Sequence, residues 1–298
     1  MVKRVVTIGE VMAVMRPVPA GPLGDGSMLR LGWAGAEATV AVGLARRGYE
    51  VSWVGCVGTD SVGDLVVKGL RGERVDVSNV RRVAEIPTGL LLHERPGSRT
   101  RIWPYRRGSA GASLSPRDVP IDLIQGADLL HLSGITPALS PSCREAWSHA
   151  WNVARAANVP VSLDVNYRAG LWPPEAAADF LRPFVDLADL LFAGRDELDA
   201  LGLTPNGPEH VVTDGPRAVH ASVSGAAYMV TPPDIIVADP VGAGDAFVSG
   251  YLAARLAGAT PEERLASGTQ AGALVAATFG DWEGLPREDG AVGDEVLR

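Results

Sequence analysis

Short apolar runs alternate with alanine-rich amphipathic stretches along most of this chain. The runs are rich in valine and leucine, which is typical of buried strands, and the stretches between them have helical periodicity. The predicted strands are RVVTIG, EVSWVG, ADLLHLSG, VPVSLDV, ADLLFAG and HVVTD. The predicted helices are GAEATVAVGLARRG, DSVGDLVVKGLRG, SPSCREAWSHAWNVARAAN, PEAAADFLRPFVDL, RDELDALG, AGDAFVSGYLAARLAG and PEERLASGTQAGALVAATFG. This alternation predicts an α/β fold with a doubly wound, mostly parallel sheet covered by helices.

Two regions depart from this alternation. Residues 12–34 are rich in proline and glycine and lack helical periodicity, and residues 86–107 contain two predicted strands joined by a turn at Pro96-Gly97. Together they predict a small β-sheet that forms a lid over the carboxyl ends of the main strands, where open α/β sheets bind ligands. Since no repeat, low-complexity tract or linker marks a boundary, residues 1–298 are predicted to form one domain with this lid.

Composition narrows the functional classes. The chain of 298 residues is 46% hydrophobic and 21% charged, which is ordinary for a soluble enzyme and long enough for a full core. A formal net charge of −8 argues against a general nucleic-acid or anionic-membrane binder, because both need a basic surface. The isolated Cys56 and Cys143 indicate neither zinc nor a disulfide framework, and no targeting segment is visible. We therefore expect a cytoplasmic protein that binds no nucleic acid and no membrane.

The segment VADPVGAGDAFVSGYLAARLAG, residues 237–258, contains the strongest chemical signal. A Gly-x-Gly turn before a helix leaves backbone N–H groups unpaired, and the helix dipole adds partial positive charge. Gly242, Ala243 and Gly244 therefore form a candidate anion site. Asp245 would repel an anion bound there unless its carboxylate serves as a base. The alternative is that Asp245 only caps the helix, a common role for aspartate, and the residues alone leave both interpretations equally open.

DPVGAGDAF near the carboxyl terminus and WAGAEATVAVGLARRG near the amino terminus resemble motifs of the ribokinase (phosphofructokinase B) family of sugar kinases. The similarity extends from Gly9-Glu10 to GDWEGLP at residues 280–286. Within the family, YRRGSAG, LHLSGITPALS and LDVNYRAGLW are most similar to the 2-keto-3-deoxygluconate kinases. The resemblance implies a ribokinase-like fold and the phosphorylation of a sugar-acid hydroxyl by ATP with Mg²⁺, with 2-keto-3-deoxygluconate converted to its 6-phosphate as the closest match.

The resemblance also implies roles for individual residues. Backbone amides of Gly242, Ala243 and Gly244 would stabilise the transferred phosphoryl group, and Asp245 would accept the proton of the sugar hydroxyl. The implied sugar-binding residues are Gly35, Ala36, Tyr105, Arg106, Arg168 and Asp245. The implied nucleotide-binding residues are Asn166, Arg168, Thr213, Gly215, Gly242 and Gly244. Glu197 matches a glutamate that helps to place Mg²⁺ through water.

Several of these residues also have a purely structural interpretation. Gly35 precedes a predicted helix and could serve close helix packing rather than approach of the sugar. Arg106 could be a solvated charge on an edge hairpin. Glu197 opens a predicted helix, where an acidic side chain interacts favourably with the helix dipole. For each of these three residues, the sequence leaves both the functional and the structural interpretation open.

Two further functions stay open. A kinase of a neutral sugar such as fructose would give Arg106 and Arg168 nothing to neutralise, whereas the planar fork of arginine matches the carboxylate of a sugar acid. Asp214, in the nucleotide-side segment TDGPRAV, would repel a bound triphosphate, which keeps open a sugar-acid sensor that transfers phosphate weakly. The exposed edge of the lid, together with the resemblance, predicts a homodimer through the lid.

Overall fold

The computed structural model describes residues 2–96 and 100–287. Its strands are, in chain order, β1 (Arg4–Ile8), β2 (Met12–Pro17), β3 (Leu29–Ala34), β4 (Glu50–Gly58), β5 (Val80–Val83), β6 (Leu90–Glu94), β7 (Arg101–Tyr105), β8 (Leu129–Ser133), β9 (Val161–Asp164), β10 (Leu190–Gly194), β11 (Glu209–Thr213), β12 (Val219–Val223) and β13 (Ala226–Val230). Its helices are α1 (Ala36–Ala45), α2 (Ser61–Gly72), α3 (Ile121–Gln125), α4 (Thr136–Leu139), α5 (Pro141–Ala156), α6 (Pro174–Val185), α7 (Arg195–Leu201), α8 (Ala243–Leu256) and α9 (Pro261–Ala276). None of the helices in these two ranges is both long and apolar enough to cross a lipid bilayer.

Nine of the described strands form one large sheet in the order β13-β12-β11-β10-β9-β8-β1-β4-β5. β1 lies between β4 and β8, and every neighbouring pair from β11 to β5 is parallel. β12 and β13 add an antiparallel edge. The predicted α/β class with a mostly parallel sheet is confirmed, and every strand and helix predicted above has its counterpart in the structure.

The other four described strands form a small sheet in the order β3-β2-β6-β7. β2 pairs antiparallel with β3 and parallel with β6, and β6 pairs antiparallel with β7. These strands lie within residues 12–34 and 86–107, so the second sheet of the predicted fold is also confirmed. Of the predicted turn at Pro96-Gly97, Gly97 lies outside the described residues.

Two hydrophobic cores cover the two faces of the large sheet. In one core, Trp147 and Trp151 of α5 stack with ring centroids 5.6 Å apart, and both contact Phe184 of α6. In the other, Phe192 of β10 packs edge to face against Tyr251 of α8. Burial of a large apolar side chain stabilises a fold by about 1.5 to 3 kcal/mol. These contacts therefore fix α5, α6 and α8 firmly on the sheet.

The topology brings the carboxyl ends of the parallel strands to one edge of the large sheet. Glu10 follows β1 and Asn166 follows β9, while Gly194 and Thr213 end β10 and β11. α8 packs against α1 and α9, which places its first residues beside the same edge. Both sheets supply walls to one cleft, so the small sheet lies over this edge.

Candidate active site

A cleft of about 600 Å³ lies between the carboxyl ends of the large sheet and the small sheet. The small sheet contributes Met12, Leu91 and Pro104 to its wall. The predicted site residues that line it are Gly35, Ala36, Arg106, Asn166, Arg168, Glu197, Thr213, Gly242, Gly244 and Asp245. The fold therefore brings together residues from distant parts of the chain, while their individual roles stay predictions.

Three predicted site residues are not among the described residues that line this cleft. Tyr105 ends β7 and is 63% exposed. Ala243 is the first residue of α8, between the lining residues Gly242 and Gly244. Gly215 follows β11 in a turn and has a φ of 58°. The implied roles of these three residues also stay predictions.

The turn before α8 has the geometry of an anion site. Gly242 has a φ of 81°, a left-handed conformation that favours glycine, and it occupies the N-cap of the helix. A Cβ on Gly242 would lie 2.1 Å from the backbone oxygen of Asp281, so no side chain fits there. Because Gly242 and Gly244 line the cleft, the amino terminus of α8 and its unpaired N–H groups lie at the cleft.

Asp245 is the third residue of this helix rather than its N-cap. Among the described residues, no side-chain hydrogen bond is made at the N-cap. The interpretation of Asp245 as a helix cap therefore has no support in the structure. Instead its carboxylate lines the cleft.

Asn166 connects Asp245 to the end of β9. Its Nδ2 donates to Oδ1 of Asp245 and to Oδ2 of Asp164, both at 3.2 Å. Asn166 has a φ of 42°, a left-handed conformation that is uncommon outside glycine and costs about 1 to 3 kcal/mol. Such strain is typical of functional sites, where the surrounding structure holds a residue in place.

The environment of Asp245 suits a general base. Burial raises the pKa of Asp245 to about 6, the positive charge of Arg168 lowers it, and the negative charge of Asp281 raises it further. A carboxyl group with this pKa is still mostly ionised at neutral pH, and it binds a proton more tightly than an ordinary carboxylate. Both properties favour proton acceptance near pH 7.

Asp164, Glu197 and Asp245 give this side of the cleft an excess of negative charge. Burial raises the pKa of Asp164 well above its ordinary value, and the charges of Glu197 and Asp245 add to the effect. Burial is also the main reason that the pKa of Glu197 is raised. A divalent cation would relieve this repulsion.

The carboxylate oxygens on this side of the cleft are of the kind that binds Mg²⁺. This ion prefers oxygen ligands and is usually held by one or two carboxylates together with water and substrate phosphates. Within residues 2–96 and 100–287, no group of three or more His, Cys, Asp or Glu side chains is arranged to hold a metal ion. Asp164 and Glu197 offer carboxylate oxygens beside the anion site of α8.

Arg168 and Glu197 form an ion pair at the rim of the cleft. Arg168 Nη1 lies 3.3 Å from Glu197 Oε1, and the Arg168 side chain is 51% exposed. Glu197 Oε2 accepts a hydrogen bond of 2.9 Å from the Gly194 N–H, which caps α7. Glu197 therefore caps its helix, and this contact does not conflict with the predicted role of Glu197 beside Mg²⁺, which stays a prediction.

Arg106 is held by a second, deeper ion pair. Its Nε donates to Glu10 Oε2 at 2.7 Å, and Ser109 Oγ donates to Glu10 Oε1 at 2.7 Å. A Cβ on Gly111 would lie 2.4 Å from Glu10 Cγ, so this glycine makes room for the glutamate. The segment YRRGSAG is thus fitted around Glu10, which is 2% exposed.

These two pairs correct one premise of the sequence interpretation. Arg106 and Arg168 each meet a carboxylate of the protein itself. The premise that only an acidic substrate would neutralise them is wrong. A sugar carboxylate would have to share each guanidinium with a protein carboxylate.

Glu37 is a cleft residue that the sequence interpretation did not single out, as are Glu10, Asp164 and Asp281. Thr136 Oγ1 donates to Glu37 Oε1 at 2.7 Å, and burial raises the pKa of Glu37 to about 7. The available signal was an acidic residue inside an otherwise apolar helical stretch, because such a residue is buried at a cost unless it is bonded or functional.

Asp214 is paired within the protein rather than free to repel an anion. Arg217 Nε donates to Asp214 Oδ2 at 2.6 Å. This hydrogen bond is the main reason that the pKa of Asp214 is lowered. The arginine compensates the charge that motivated the sensor hypothesis.

Comparison with known proteins agrees with this geometry. Residues 2–288 match the profile of the pfkB family carbohydrate kinases. The 2-dehydro-3-deoxygluconokinase of Bacillus subtilis (strain 168) is 35% identical over 95% of this chain and 93% of its own length. The enzyme of the same name from Thermoproteus tenax is 34% identical over 94% of this chain and 90% of its own.

A solved structure gives the same result for the fold. The crystal structure of 2-dehydro-3-deoxygluconokinase from Thermotoga maritima superposes with a TM-score of 0.88 at 26% identity. The superposition covers 94% of this chain and 95% of that chain. The likeness in fold thus extends over nearly the whole of both chains.

Proposed function

Since this chain belongs to the pfkB family of carbohydrate kinases, we propose that it phosphorylates 2-keto-3-deoxygluconate, also called 2-dehydro-3-deoxygluconate, to its 6-phosphate with ATP. The observation that carries the proposal is the position of Asp245, a carboxylate of raised pKa beside the open amino terminus of α8. The names of the relatives and the length over which they align support the choice of sugar acid.

The reaction follows from the residues around the Gly242 turn. Asp245 accepts the proton of the attacking hydroxyl as the new O–P bond forms, while the bond from the γ-phosphorus to the bridging oxygen of ADP breaks. Backbone amides of Gly242, Ala243 and Gly244 stabilise the negative charge on the transferred group. Asn166 keeps Oδ1 of Asp245 oriented through its hydrogen bond.

The nucleotide side of the cleft lies at the ends of β9, β10 and β11. Asn166, Arg168, Thr213 and the turn at Gly215 would contact ATP, as the resemblance implies. Bound to the ATP phosphates, Mg²⁺ would neutralise part of their charge. Asp164 and Glu197 would hold it, Glu197 through water.

Arg106 and Arg168 are the candidate partners of the sugar carboxylate. A guanidinium has five N–H donors, and Glu10 engages those of Nε and Nη2 of Arg106. Arg106 therefore keeps donor capacity toward a substrate while its orientation is fixed. Because each arginine also has a protein carboxylate as partner, a sugar carboxylate would bind through the remaining N–H donors of a guanidinium whose charge is already partly compensated.

Two alternatives are tested by the same assay. A neutral sugar such as fructose would need no guanidinium, and a sugar-acid sensor would bind without turnover. The compensation of Asp214 by Arg217 weakens the case for the sensor. The retention of the Gly242 turn and of Asp245 favours a working kinase.

We also propose that the protein is a cytoplasmic homodimer whose interface lies on the outer face of the small sheet. Leu31, Met15, Leu92 and Trp103 form one row across its strands. Leu31 is 48% and Trp103 50% exposed, which is unusual for such large apolar side chains in one row. We expect Trp103→Glu to convert the dimer to a monomer in sedimentation equilibrium. An unchanged mass would place the interface elsewhere.

A coupled assay of ADP release tests the proposed reaction. The panel contains 2-keto-3-deoxygluconate, other sugar acids and neutral hexoses, each with ATP and Mg²⁺. We expect the highest kcat/KM for 2-keto-3-deoxygluconate. Equal or higher values for fructose would overturn the choice of sugar acid, and binding without any turnover would favour the sensor.

A further inference from the structure

A buried polar cluster joins the small sheet to the loops that flank the Gly242 turn. It consists of Arg16 from β2, His93 from β6, Asp239 just before the turn and Asp281 after α9. Arg16 Nη2 donates to Asp281 Oδ2 at 2.8 Å, and Arg16 Nε donates to His93 Nδ1 at 3.2 Å. His93 Nε2 lies 3.8 Å from Asp239 Oδ2. The ion pair is largely buried, with side-chain exposures of 17% for Arg16 and 6% for Asp281.

The two strand residues lie on the face of the small sheet that lines the cleft. Side chains on a strand alternate between faces, so Arg16 lies on the same face as Met12. In the same way His93 shares a face with Leu91. Met12 and Leu91 both line the cleft. The cluster is therefore continuous with the wall that would cover a bound sugar.

The two loop residues are coupled directly to the phosphate-binding turn. The backbone oxygen of Asp281 occupies the space in which a Cβ of Gly242 would lie. Asp239 Oδ1 accepts a hydrogen bond of 3.2 Å from the Val241 N–H. A shift of either aspartate would therefore move the backbone amides of the turn.

The carboxylate of Asp281 also depends on Arg16. Its Oδ1 is buried and has no hydrogen-bond partner in the described part of the chain. Without the guanidinium, a buried carboxylate would lack compensation. Such a group would either take up a proton or move toward water, and either change would disturb the Gly242 turn.

We propose that Arg16 and Asp281 are positioning residues for phosphoryl transfer, since their ion pair fixes the Gly242 turn relative to the small sheet that covers the sugar. The inference rests on the proposed function of that turn and of Asp245. Neither residue needs to touch a reacting atom. Small displacements of reacting groups reduce rates strongly, by as much as about 100-fold for about 1 Å.

The first test compares two arginines that face each other across β2 and β3. Arg16 and Arg30 are paired in register, and Arg30 is exposed. We expect Arg16→Gln to lower kcat at least tenfold, with KM values for sugar and ATP changed less than threefold. Arg30→Gln should stay within twofold of the wild type. A kcat within twofold of the wild type for Arg16→Gln would overturn the proposal.

Further variants separate positioning from a general loss of structure. If the ion pair acts as a unit, the double variant Arg16→Gln/Asp281→Asn should have a kcat close to that of the slower single variant. If the reductions in kcat of the two single variants instead multiply in the double variant, Arg16 and Asp281 act independently and the proposed pair is contradicted. Arg16→Lys, which keeps the charge, should recover part of kcat, and it provides a second variant if Arg16→Gln does not fold.

Amide hydrogen exchange tests the inference without an assay of catalysis, so its result does not depend on which sugar the protein phosphorylates. We expect Arg16→Gln to accelerate amide hydrogen exchange in peptides that cover residues 239–245 at least fivefold relative to Arg30→Gln. Unchanged exchange there would overturn the proposal even if activity falls. Should the wild type prefer another sugar, the proposed substrate fails, while the exchange result still decides the role of Arg16.

Discussion

The two sides of the cleft handle charge in opposite ways. On the transfer side, Asp164, Glu197 and Asp245 lie together, and each has a raised pKa. On the small-sheet side, a buried acid, Glu10, is matched by Arg106 and by the hydroxyl of Ser109. On the transfer side three carboxylates share one arginine, Arg168, which leaves an excess of negative charge, whereas the other side keeps a balanced pair.

The difference indicates what each side is built to do. Unbalanced carboxylates attract a divalent cation and a proton, which are the two species that phosphoryl transfer has to place. A balanced buried pair attracts little by itself, but it holds a guanidinium in a defined orientation. The transfer side, together with the Arg16–Asp281 pair that positions its turn, is therefore expected to control rate, whereas the Glu10–Arg106 pair is expected to control stability and the binding of the sugar.

The largest effect is expected on the transfer side, for Asp245→Asn. Loss of the base should lower kcat at least 100-fold, since general-base assistance contributes about 10²- to 10⁴-fold, or roughly 3 to 5 kcal/mol of barrier. The measurement is steady-state kinetics with 2-keto-3-deoxygluconate and ATP.

The same variant, Asp245→Asn, should not lose stability although it loses activity. The folded pKa of Asp245, about 6, lies above the ordinary 3.8, so at pH 7 the ionised group destabilises the fold. The neutral amide removes that penalty, and we expect Tm to stay equal or rise. Asp179→Asn on α6, an exposed position, is the control. More than a tenth of wild-type turnover in Asp245→Asn would place the base elsewhere.

On the small-sheet side we expect a loss of stability rather than of rate from Glu10→Gln. The change leaves Arg106 without its buried counter-charge, which should lower the free energy of unfolding by about 2 to 3 kcal/mol. Urea unfolding measures this effect. Glu50→Gln, at an exposed position on β4, should change it by less than about 0.5 kcal/mol. Equal effects of the two variants would show that the pair is not structural.

A smaller effect is expected for Arg168→Lys, at the rim between the two sides. Lysine keeps the charge but loses the planar fork. We expect KM for the sugar acid to rise about ten- to thirtyfold, roughly 1.4 to 2 kcal/mol, with a smaller rise in KM for ATP, which Arg168 is also proposed to contact. Arg182→Lys on α6 should behave as the wild type. A rise confined to KM for ATP would assign Arg168 to the nucleotide.

The smallest expected effect is that of pH on the unmodified protein. Asp245 must be ionised to accept a proton, so kcat/KM, which reports the free enzyme, should fall as pH drops through its pKa of about 6. Between pH 7 and pH 5 the ionised fraction falls about tenfold. A pH profile of kcat/KM for the sugar measures this fall. A flat profile down to pH 5 would contradict the assignment of that pKa to the base.

The large sheet could be predicted because its central strands are buried on both faces and therefore read as apolar runs. Three strands at or next to the edges of this sheet were missed. β5 contains Arg81 and Arg82, and β12 and β13 include exposed residues, so none of them forms such a run. A strand that faces water on one side carries a weaker pattern, which is why the edges escaped.

Some residues of the candidate site could likewise be predicted from the sequence, and others could not. Asp245 and the Gly242 turn form a contiguous motif, so their chemistry could be predicted from neighbouring residues. Glu10 and Arg16 could not, because their partners are distant in sequence: Glu10 meets Arg106, and Arg16 meets Asp281 at the opposite end of the chain. Such pairs exist only once the two sheets have packed.

The place of β1 in the sheet determines when the chain can complete its core during synthesis. This strand is made before the other described strands, but its second neighbour is β8, at Leu129–Ser133. Until that segment leaves the ribosome, one edge of an apolar strand exposes unpaired backbone groups, a condition that promotes mispairing with other chains. We expect pulse-labelled hydrogen exchange during refolding to protect β1 and β8 at the same time. Nascent chains that stop before β8 are therefore the ones that should need a chaperone most.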